Sequence, residues 1–149
     1  MATRRIMIAI VAAIALLGAA CTSGAAESTT TSSTTSIPAE IPDLEFGSGE
    51  VPFTVPAGFP IPEAAVVGST MIDGVNGRTE MIINFAASVA DVVAFYEANL
   101  PALGFEVLNS KGTASAWDIS ISKDGITGRI LLTFGATGLT SGTFSFDHP

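Results

Sequence analysis

The chain of 149 residues contains one cysteine and one histidine. The single cysteine, Cys21, cannot form an internal disulfide, so packing must hold the fold together. The only histidine, His148, lies one residue from the C-terminus, where chains are usually mobile. Catalysis by a histidine base and zinc sites with several His or Cys ligands are therefore not expected. We expect no catalytic residue, no metal ligand and no cofactor.

Positive charge is also scarce. All fourteen acidic residues follow Cys21, together with only four of the six basic ones, which gives that part of the chain a net charge of −10. A surface this acidic repels phosphate backbones and anionic lipid headgroups. The sequence therefore predicts no nucleic-acid binding, and any membrane attachment must come from something other than basic residues.

The first twenty residues have the pattern of an export signal. Met1–Arg5 is short and positive, Ile6–Leu17 is continuously apolar, and the small residues Gly18–Ala20 precede Cys21. The apolar run, about 15 residues long, is shorter than the roughly 20 that a membrane-spanning helix needs. We therefore predict a signal peptide over residues 1–20, with a transmembrane helix as the weaker alternative.

The segment "LGAAC", Leu17–Cys21, resembles the lipobox of bacterial lipoproteins, although Gly18 stands where that family prefers leucine. In that family the cysteine thiol is alkylated by a diacylglyceryl group and becomes the new N-terminus. Each buried CH₂ contributes about 0.8 kcal/mol, so two acyl chains anchor a protein stably. The resemblance implies an extracytoplasmic protein held to the cell membrane by lipid on Cys21. The alternative is an ordinary secretory signal with an incidental cysteine.

Residues 21–50 are predicted to form a disordered linker. Thr22–Ser36 consists almost entirely of Ser, Thr, Gly and Ala, which cannot bury enough apolar surface to offset the entropy of ordering. Prolines recur from Pro38 to Pro62 and favour extended chain. We expect "VPFTVPAGFPIP" to lie against a globular domain that spans residues 51–149.

Six strands and one helix are predicted for that domain. The runs "AAVVGSTMID" and "RTEMIINF" read as strands, and the Asn-Gly pair in the intervening "GVNG" favours a hairpin with positive φ at both residues. Four later strands are "FEVLNS", "AWDISIS", "ITGRILLTF" and "GTFSF". The order β-β-α-β-β-β-β predicts an α+β fold, a two-layer sandwich in which a mostly antiparallel sheet packs on one helix.

The helix begins at Ser88, where "SVAD" has the spacing of a capping box. Pro101 disfavours helical backbone at the residue before it, so we expect the helix to end or kink near Asn99. Apolar residues at spacings of three and four predict one buried stripe. The stripe comprises Val89, Val92, Val93, Tyr96, Leu100 and Leu103.

The helix reads V-x-x-F-Y-x-x-x-L-x-x-x-G-F and follows a Pro-x-Pro entry. With the lipobox and the Ser/Thr/Pro linker, these features resemble small, mostly uncharacterised bacterial lipoproteins of the actinobacterial type. The resemblance implies a location in the cell envelope and a single α+β domain, and it implies no catalytic residues. Its helix positions are Val92, Phe95, Tyr96, Leu100, Gly104 and Phe105.

The candidate contacts for a ligand or partner are aromatic: Phe95, Tyr96 and Trp117. Phe95 lies off the apolar stripe and Trp117 lies near a strand end, whereas the spacing of Tyr96 is more typical of core. These features favour a binding or protein-interaction module of the cell envelope, whose partner is an envelope protein, a glycan or an apolar ligand. The alternatives are an envelope hydrolase with two converging carboxylates and a passive accessory subunit of an envelope complex.

The lipid anchor is directly testable. Replacement Cys21→Ser should move the protein from the membrane fraction to the soluble fraction, because the thiol that carries the acyl chains is lost. Globomycin, which blocks lipoprotein signal cleavage, should cause unprocessed precursor to accumulate. Fractionation and immunoblotting measure both effects, with Ser23→Ala as the control. Unchanged processing together with an equally membrane-bound Cys21→Ser protein would contradict the anchor.

Overall fold

The computed structural model describes residues 40–149, which form an α+β sandwich of one antiparallel sheet and one helix, so the predicted fold class is confirmed. Seven strands are present in place of the six expected. The elements are β1 (Glu45–Ser48), β2 (Val66–Asp73), β3 (Arg78–Phe85), α1 (Val89–Ala102), β4 (Glu106–Gly112), β5 (Ala116–Lys123), β6 (Ile126–Phe134) and β7 (Thr140–Asp147).

The strands lie in the order β1-β2-β3-β7-β6-β5-β4, and every neighbouring pair is antiparallel. The chain leaves the middle of the sheet at β3 and passes through α1 to β4, which is the far edge. It then returns strand by strand until β7 fills the gap beside β3. On this path α1 packs over β4, β5 and β6, so one helix covers only part of one face of the sheet.

The strand that was not predicted, β1, lies inside the range 21–50 that the sequence assigned to the linker. It pairs with β2 from Glu45↔Ile72 to Ser48↔Ser69. The domain therefore begins before the predicted boundary at residue 51. Four residues are too few to show a strand periodicity, and the neighbouring strand β2 supplies the hydrogen bonds that make this segment extended.

Two tight turns show how side chains decide hairpin geometry. Asp124 (φ 51°) and Gly125 (φ 85°) form a two-residue turn with positive φ at both positions, as a type I′ turn requires. The "GVNG" turn differs from the prediction, because Gly77 has positive φ and Asn76 does not. The Asp73 carboxylate instead accepts hydrogen bonds from the Asn76 backbone N–H (3.0 Å) and Nδ2 (2.7 Å), which closes a four-residue loop.

The start of α1 follows the prediction. Ser88 is the N-cap, with its Oγ accepting a hydrogen bond from the Asp91 N–H at 3.2 Å. Ser88 Oγ also donates to the Asp91 carboxylate at 2.6 Å. These bonds satisfy one of the free N–H groups of the first turn and place a negative charge near the positive end of the helix dipole.

The predicted helix end near Asn99 is wrong, because α1 continues through Pro101 to Ala102. Proline removes only one N–H, and here the last turn is closed by a Schellman motif instead. The N–H of Gly104 donates to Pro101 O (3.1 Å) and that of Phe105 to Leu100 O (3.0 Å), with Gly104 at φ 81°. Leu103, expected on the buried stripe, is the C-cap and is 43% exposed.

The core lies between α1 and the covered face of the sheet. Alternate residues of each central strand point into it, including Met81, Ile83 and Phe85 of β3. The other buried sheet residues are Ile119, Ile121, Ile130, Leu132, Phe144 and Phe146, and α1 contributes Val89, Val92, Val93, Tyr96 and Leu100. The alternation of "AWDISIS" places Ile119 and Ile121 in the core, with Trp117 half-buried on the same side.

The proline-rich segment 51–65, here called the strap, covers the part of the sheet that α1 leaves bare. Three successive turns begin at a proline, with hydrogen bonds from Val55 N to Pro52 O, from Phe59 N to Pro56 O and from Ala65 N to Pro62 O. Phe59 lies at its centre with its ring 5.1–5.8 Å from those of Tyr96, Phe105, Phe144 and Phe146. The expectation that this segment lies against the domain is confirmed.

Lys123 on β5 joins the strap, the helix and the sheet. Its Nζ donates to Ala57 O in the strap (2.9 Å) and to Leu103 O at the helix C-cap (3.0 Å), and it lies 4.5 Å from the centre of the Phe105 ring. A cation near the carbonyl end of a helix is favourable, and α1 has no basic residue of its own in its last turn.

Replacement Lys123→Met should lower the free energy of unfolding by about 1–2 kcal/mol, because two charge-assisted hydrogen bonds and the contact with the Phe105 ring are lost. Urea unfolding followed by the fluorescence of Trp117 measures the change. Lys111→Met is the matched control at an exposed position of β4, and it should stay within about 0.5 kcal/mol of the wild type. Equal effects of the two replacements would contradict this role of Lys123.

Candidate interaction surface

A group of large apolar side chains is exposed around β1. Phe46 on the strand is 73% exposed and Phe53 in the strap is 56% exposed. Ile41, Leu44 and Val51 are also exposed. Contiguous exposed apolar residues are uncommon on monomeric soluble proteins and mark sites of interaction. We call the surface formed by β1, Leu44, Val51 and Phe53 the β1 surface.

The main chain of β1 contributes hydrogen-bonding groups to this surface. Within residues 40–149, β1 is the first strand of the sheet and pairs on one side only, with β2. Gly49 N donates to Gly68 O (3.0 Å) and Asp43 O accepts from Gly74 N (3.1 Å), in register with the β1–β2 pairing. Odd-numbered residues therefore direct their N–H and C=O groups towards β2, and even-numbered residues direct theirs outwards.

The two faces of β1 differ in chemistry. Glu45 is opposite the buried Ile72, so its side chain lies on the same face of the sheet as α1 and the strap. There, Glu45 and Glu50 line a groove of about 270 Å³ between β1 and the strap, together with Val51 and Phe53. Phe46 is opposite Met71, on the face that α1 does not cover, and both line a second groove with Ile82. On the covered face of β1, carboxylates thus lie beside apolar side chains, and the other face is apolar at Phe46 and Met71 with Glu80 at its margin.

The chain around β1 also carries an excess of negative charge. Between Glu40 and Asp73 the sequence contains no lysine, arginine or histidine. The same stretch carries the carboxylates of Glu40, Asp43, Glu45, Glu50 and Glu63 ahead of Asp73. The β1 surface therefore combines apolar side chains on both faces of the edge strand with a strongly negative environment, and long-range electrostatic attraction favours a cationic partner.

The two glutamates in one groove bear on the hydrolase alternative, which requires converging carboxylates. Glu45 and Glu50 are both exposed to solvent. A general acid must keep its proton at neutral pH, which usually requires burial or a close second carboxylate. Among residues 40–149 no carboxylate side chain belongs to the buried set. The geometry at these glutamates favours attraction of a cation over acid catalysis.

Phe95, the first predicted contact, is half-buried on one flank of α1. It lines an apolar groove of about 140 Å³ with Pro62, Ala65 and Phe85. This groove is large enough for one apolar side chain or a small ligand fragment, and it is well below the roughly 300 Å³ expected for a drug-sized molecule. Phe95 is thus accessible, but the groove beside it is small.

Tyr96, the second predicted contact, lies entirely inside the core, with 0% of its surface exposed. Its ring stacks on Phe59 at 5.8 Å and meets Phe95 edge-on at 5.2 Å. Its hydroxyl has no hydrogen-bond partner within residues 40–149. Burial raises the pKa of the Tyr96 phenol well above its ordinary value of about 10. Tyr96 therefore does not reach a surface partner.

Trp117, the third predicted contact, lies on the other side of α1 from Phe95. Its Nε1 donates to Ser110 Oγ on β4 (2.8 Å), and Ser110 Oγ donates to Glu97 Oε1 on α1 (2.6 Å). Successive helix residues are about 100° apart, so Phe95 and Glu97 project from opposite flanks of α1 around Tyr96. The structure therefore does not bring Phe95 and Trp117 together, and Trp117 ties the helix to the sheet.

His148 is bound into the fold, whereas the sequence led us to expect a mobile chain end. Its backbone N–H donates to Gly77 O (2.7 Å), and its Nε2 is 3.2 Å from Thr79 Oγ1. Thr79 Oγ1 is in turn 2.6 Å from Thr54 Oγ1 in the strap. Because Thr79 is fully buried, its hydroxyl is not accessible to a substrate. The three side chains connect the C-terminus, β3 and the strap.

Polar side chains dominate most of the face that α1 leaves uncovered. Asp118 accepts two hydrogen bonds from Arg129 Nε and Nη2, at 3.1 Å and 2.7 Å, and these bonds lower the pKa of the Asp118 carboxyl. The same pair raises the pKa of Arg129. The hydrogen bonds from Asn76 likewise lower the pKa of Asp73. These exposed pairs contribute little to stability, and on this face they accompany the partly exposed Ile82 and Leu131.

No group of three or more His, Cys, Asp or Glu side chains within residues 40–149 is arranged to hold a metal ion. No helix in the same range has the length and apolar character needed to cross a bilayer. The predicted signal peptide and Cys21 lie outside the described residues.

The sequence contains one signal for the β1 surface. Leu44 and Phe46 lie among acidic residues at the end of the range assigned to a disordered linker, and Val51 and Phe53 follow directly after it. Disordered segments are usually poor in large apolar residues. The large apolar residues around position 50 therefore indicate a segment that contacts a surface, either of this domain or of a partner.

Comparison with known proteins adds no assignment, since no protein-family model, curated protein or solved structure matches this chain.

Replacement Tyr96→Phe should raise the free energy of unfolding by about 1 kcal/mol at neutral pH, because it removes a buried hydroxyl that lacks a hydrogen bond. The replacement should also remove a loss of stability that the wild type shows at alkaline pH. Above about pH 10 the unfolded state loses the phenolic proton that the folded state keeps, so the wild type loses up to about 1.4 kcal/mol per pH unit.

Urea unfolding at about pH 7 and about pH 11 measures both effects of Tyr96→Phe. Tyr96 is the only tyrosine, so its ionisation can also be followed directly by near-ultraviolet absorbance, and it should coincide with unfolding. All other side chains are common to both proteins, so their contributions cancel in the comparison. A destabilised Tyr96→Phe protein, or ionisation at about pH 10 in the folded state, would contradict the burial of an unpaired phenol.

Proposed function

We propose that this chain is a lipid-anchored, extracytoplasmic interaction module of a bacterial cell envelope, and that it binds another protein through the β1 surface. The observation that carries the proposal is the exposure of Leu44, Phe46, Val51 and Phe53 around an open sheet edge. A solvent-exposed edge with apolar side chains is a liability in an isolated protein, and it is retained where a partner covers it.

The lipobox resemblance at Leu17–Cys21 supports the location. Acyl chains on Cys21 would hold the domain near the outer surface of the membrane, and residues 22–39 would separate it from the bilayer. A flexible segment of about that length has an end-to-end distance on the order of 25 Å. An anchored module meets partners at high effective concentration, so even a modest interface is sufficient for binding.

Binding to a protein is favoured over binding to a small apolar ligand. The groove at Phe95 holds about 140 Å³ and the larger groove beside β1 is lined by two carboxylates. Neither is a closed apolar pocket of the size that a lipid-like ligand requires. The β1 surface is instead a sheet edge with exposed apolar side chains and free main-chain N–H and C=O groups. A polypeptide partner can bind both.

Site-specific photocrosslinking in intact cells tests the proposal. A photoreactive phenylalanine analogue at position 53 should form a discrete adduct with one partner protein, because Phe53 is exposed on the β1 surface. Replacement Phe46→Ser in the same chain should reduce the adduct at least about fivefold, since it removes the most exposed apolar side chain of the surface.

Phe134→Ser is the matched control, because Phe134 is an exposed phenylalanine at the end of β6, away from β1. Both replacements are expected to change the free energy of unfolding by no more than about 0.5 kcal/mol. Absence of an adduct at position 53, or equal loss with both serine variants, would overturn the proposed surface.

A further inference from the structure

We propose that the outer edge of β1 takes up an extended segment of the partner protein by strand addition, and that this segment alternates lysine or arginine with apolar residues. The inference rests on the proposed function, because it specifies how the same surface recognises its partner. It goes further by naming the conformation of the partner segment, its sequence pattern and the main-chain groups that bind it.

Within β1, the outward N–H and C=O groups are those of Phe46 and Ser48, and they form the row that an added strand needs. Their direction follows from the register of β1 on β2, in which Gly49 and Asp43 bond inwards. Main-chain hydrogen bonds of this kind provide affinity in strand addition, and alternate side-chain positions provide specificity. The edge offers main-chain groups over about 10–15 Å, because each residue advances the strand by about 3.4 Å.

The opposite edge of the sheet shows how an edge is protected in this same protein. β4 contains a register shift between Val107 and Asn109 and carries the charged residues Glu106 and Lys111. Bulges and charged side chains, lysine above all, discourage pairing with another chain. β1 pairs with β2 without a register shift, contains neither lysine nor proline, and has Glu45 as its one charged residue. The open edge is therefore β1.

The chemistry of the added strand follows from the two faces of β1. Successive side chains of the added strand would point to opposite faces of the sheet. One set would lie beside Glu45 and Glu50, and the other would lie beside Phe46 and Met71. Cationic side chains match the first set, because their aliphatic stems would lie along Val51 and Phe53 while their charges meet the carboxylates. Apolar side chains match the second set. This alternation is a stronger requirement than attraction of any basic protein, because it excludes segments whose charges are contiguous.

Charge disfavours two other candidates for the strand that pairs with the outer edge of β1. A second copy of the chain would bring its own acidic β1 surface against this one, and the resulting like-charge contacts are unfavourable. The Ser/Thr-rich segment Thr22–Ser36 contains Glu27 and no basic residue, so it lacks the cationic positions. A cationic, apolar segment from a different protein satisfies both faces of β1.

Synthetic peptides test the mode of binding with the full chain in non-ionic detergent. The probe is a peptide of about nine alternating lysine and valine residues, a usual strand length. A peptide with glutamate in place of lysine tests the charge requirement. Two further lysine–valine peptides carry N-methyl groups, either on the lysine amides or on the valine amides. Each removes one of the two rows of main-chain donors.

In strand addition, only one row of peptide donors faces β1, so one N-methylated peptide should bind like the parent and the other should lose at least about tenfold in affinity. The glutamate peptide should not bind measurably. Equal binding of the two N-methylated peptides would show that charge alone holds the peptide, and it would overturn strand addition. Binding of the glutamate peptide would overturn the cationic requirement.

Replacement Ser48→Pro tests the protein side of the same contact. Proline removes the outward N–H of Ser48 without breaking a bond to β2, and it is tolerated on edge strands. Ser48→Ala is the matched control that loses only the hydroxyl. We expect about a tenfold loss of peptide affinity for Ser48→Pro and less than a twofold change for Ser48→Ala. Equal affinities of the two variants would overturn the inference.

Two outcomes separate this inference from the proposed function and from self-association. If the adduct at position 53 depends on Phe46 but persists unchanged in Ser48→Pro, the β1 surface binds a partner by side chains alone, and strand addition is wrong. If light scattering shows that the full chain dimerises and that Ser48→Pro abolishes the dimer, the occupant is a second copy, and the cationic partner is wrong.

Discussion

Covering one apolar face of a seven-stranded sheet is the constraint on which the rest of this structure depends. Seven strands at a spacing of about 4.8 Å give a sheet about 29 Å wide. Helix α1, with 14 residues, is about 21 Å long and about 10 Å across. One helix of this size covers only part of such a face, and the remaining buried residues, Phe144 and Phe146 among them, need a second cover.

The strap provides that cover and explains why so many prolines precede the helix. Proline restricts the unfolded chain, so ordering a proline-rich segment costs less conformational entropy than ordering a flexible one. Phe59 contributes the apolar surface by packing against four other aromatic rings. Lys123 and the Thr54–Thr79 pair then fix the strap to the sheet by hydrogen bonds. Disulfides are not needed within a fold closed in this way.

The same chain segment produces the proposed binding surface. The polypeptide enters the sheet as β1, turns at Gly49 and then passes into the strap, so β1 remains at the margin. Residues of the segment that reach the core, such as Pro52, Pro56 and Phe59, stabilise the fold. Leu44, Phe46, Val51 and Phe53 lie beyond the cover of α1 and stay exposed. The path of this one segment therefore both covers the core and leaves these apolar residues exposed.

Most of the secondary structure could be predicted from local patterns. β3 and β6 coincide with "RTEMIINF" and "ITGRILLTF", and Ser88 begins α1 as expected. Predictions failed where a distant partner decides the local conformation. Glu45–Ser48 is a strand because β2 pairs with it. No local pattern carries that information.

The three candidate contact residues show the same limit of prediction from local sequence. Helical spacing indicated that Tyr96 faces inwards and that Phe95 does not, but it could not show that Trp117 lies on the other flank of α1. The sequence by itself determined the order of elements, the apolar face of each element and the negative charge, because these depend on side-chain period and composition. Only the tertiary structure decided which strand has a free edge and which apolar residues remain exposed, because both depend on which segments, far apart in the chain, cover one another.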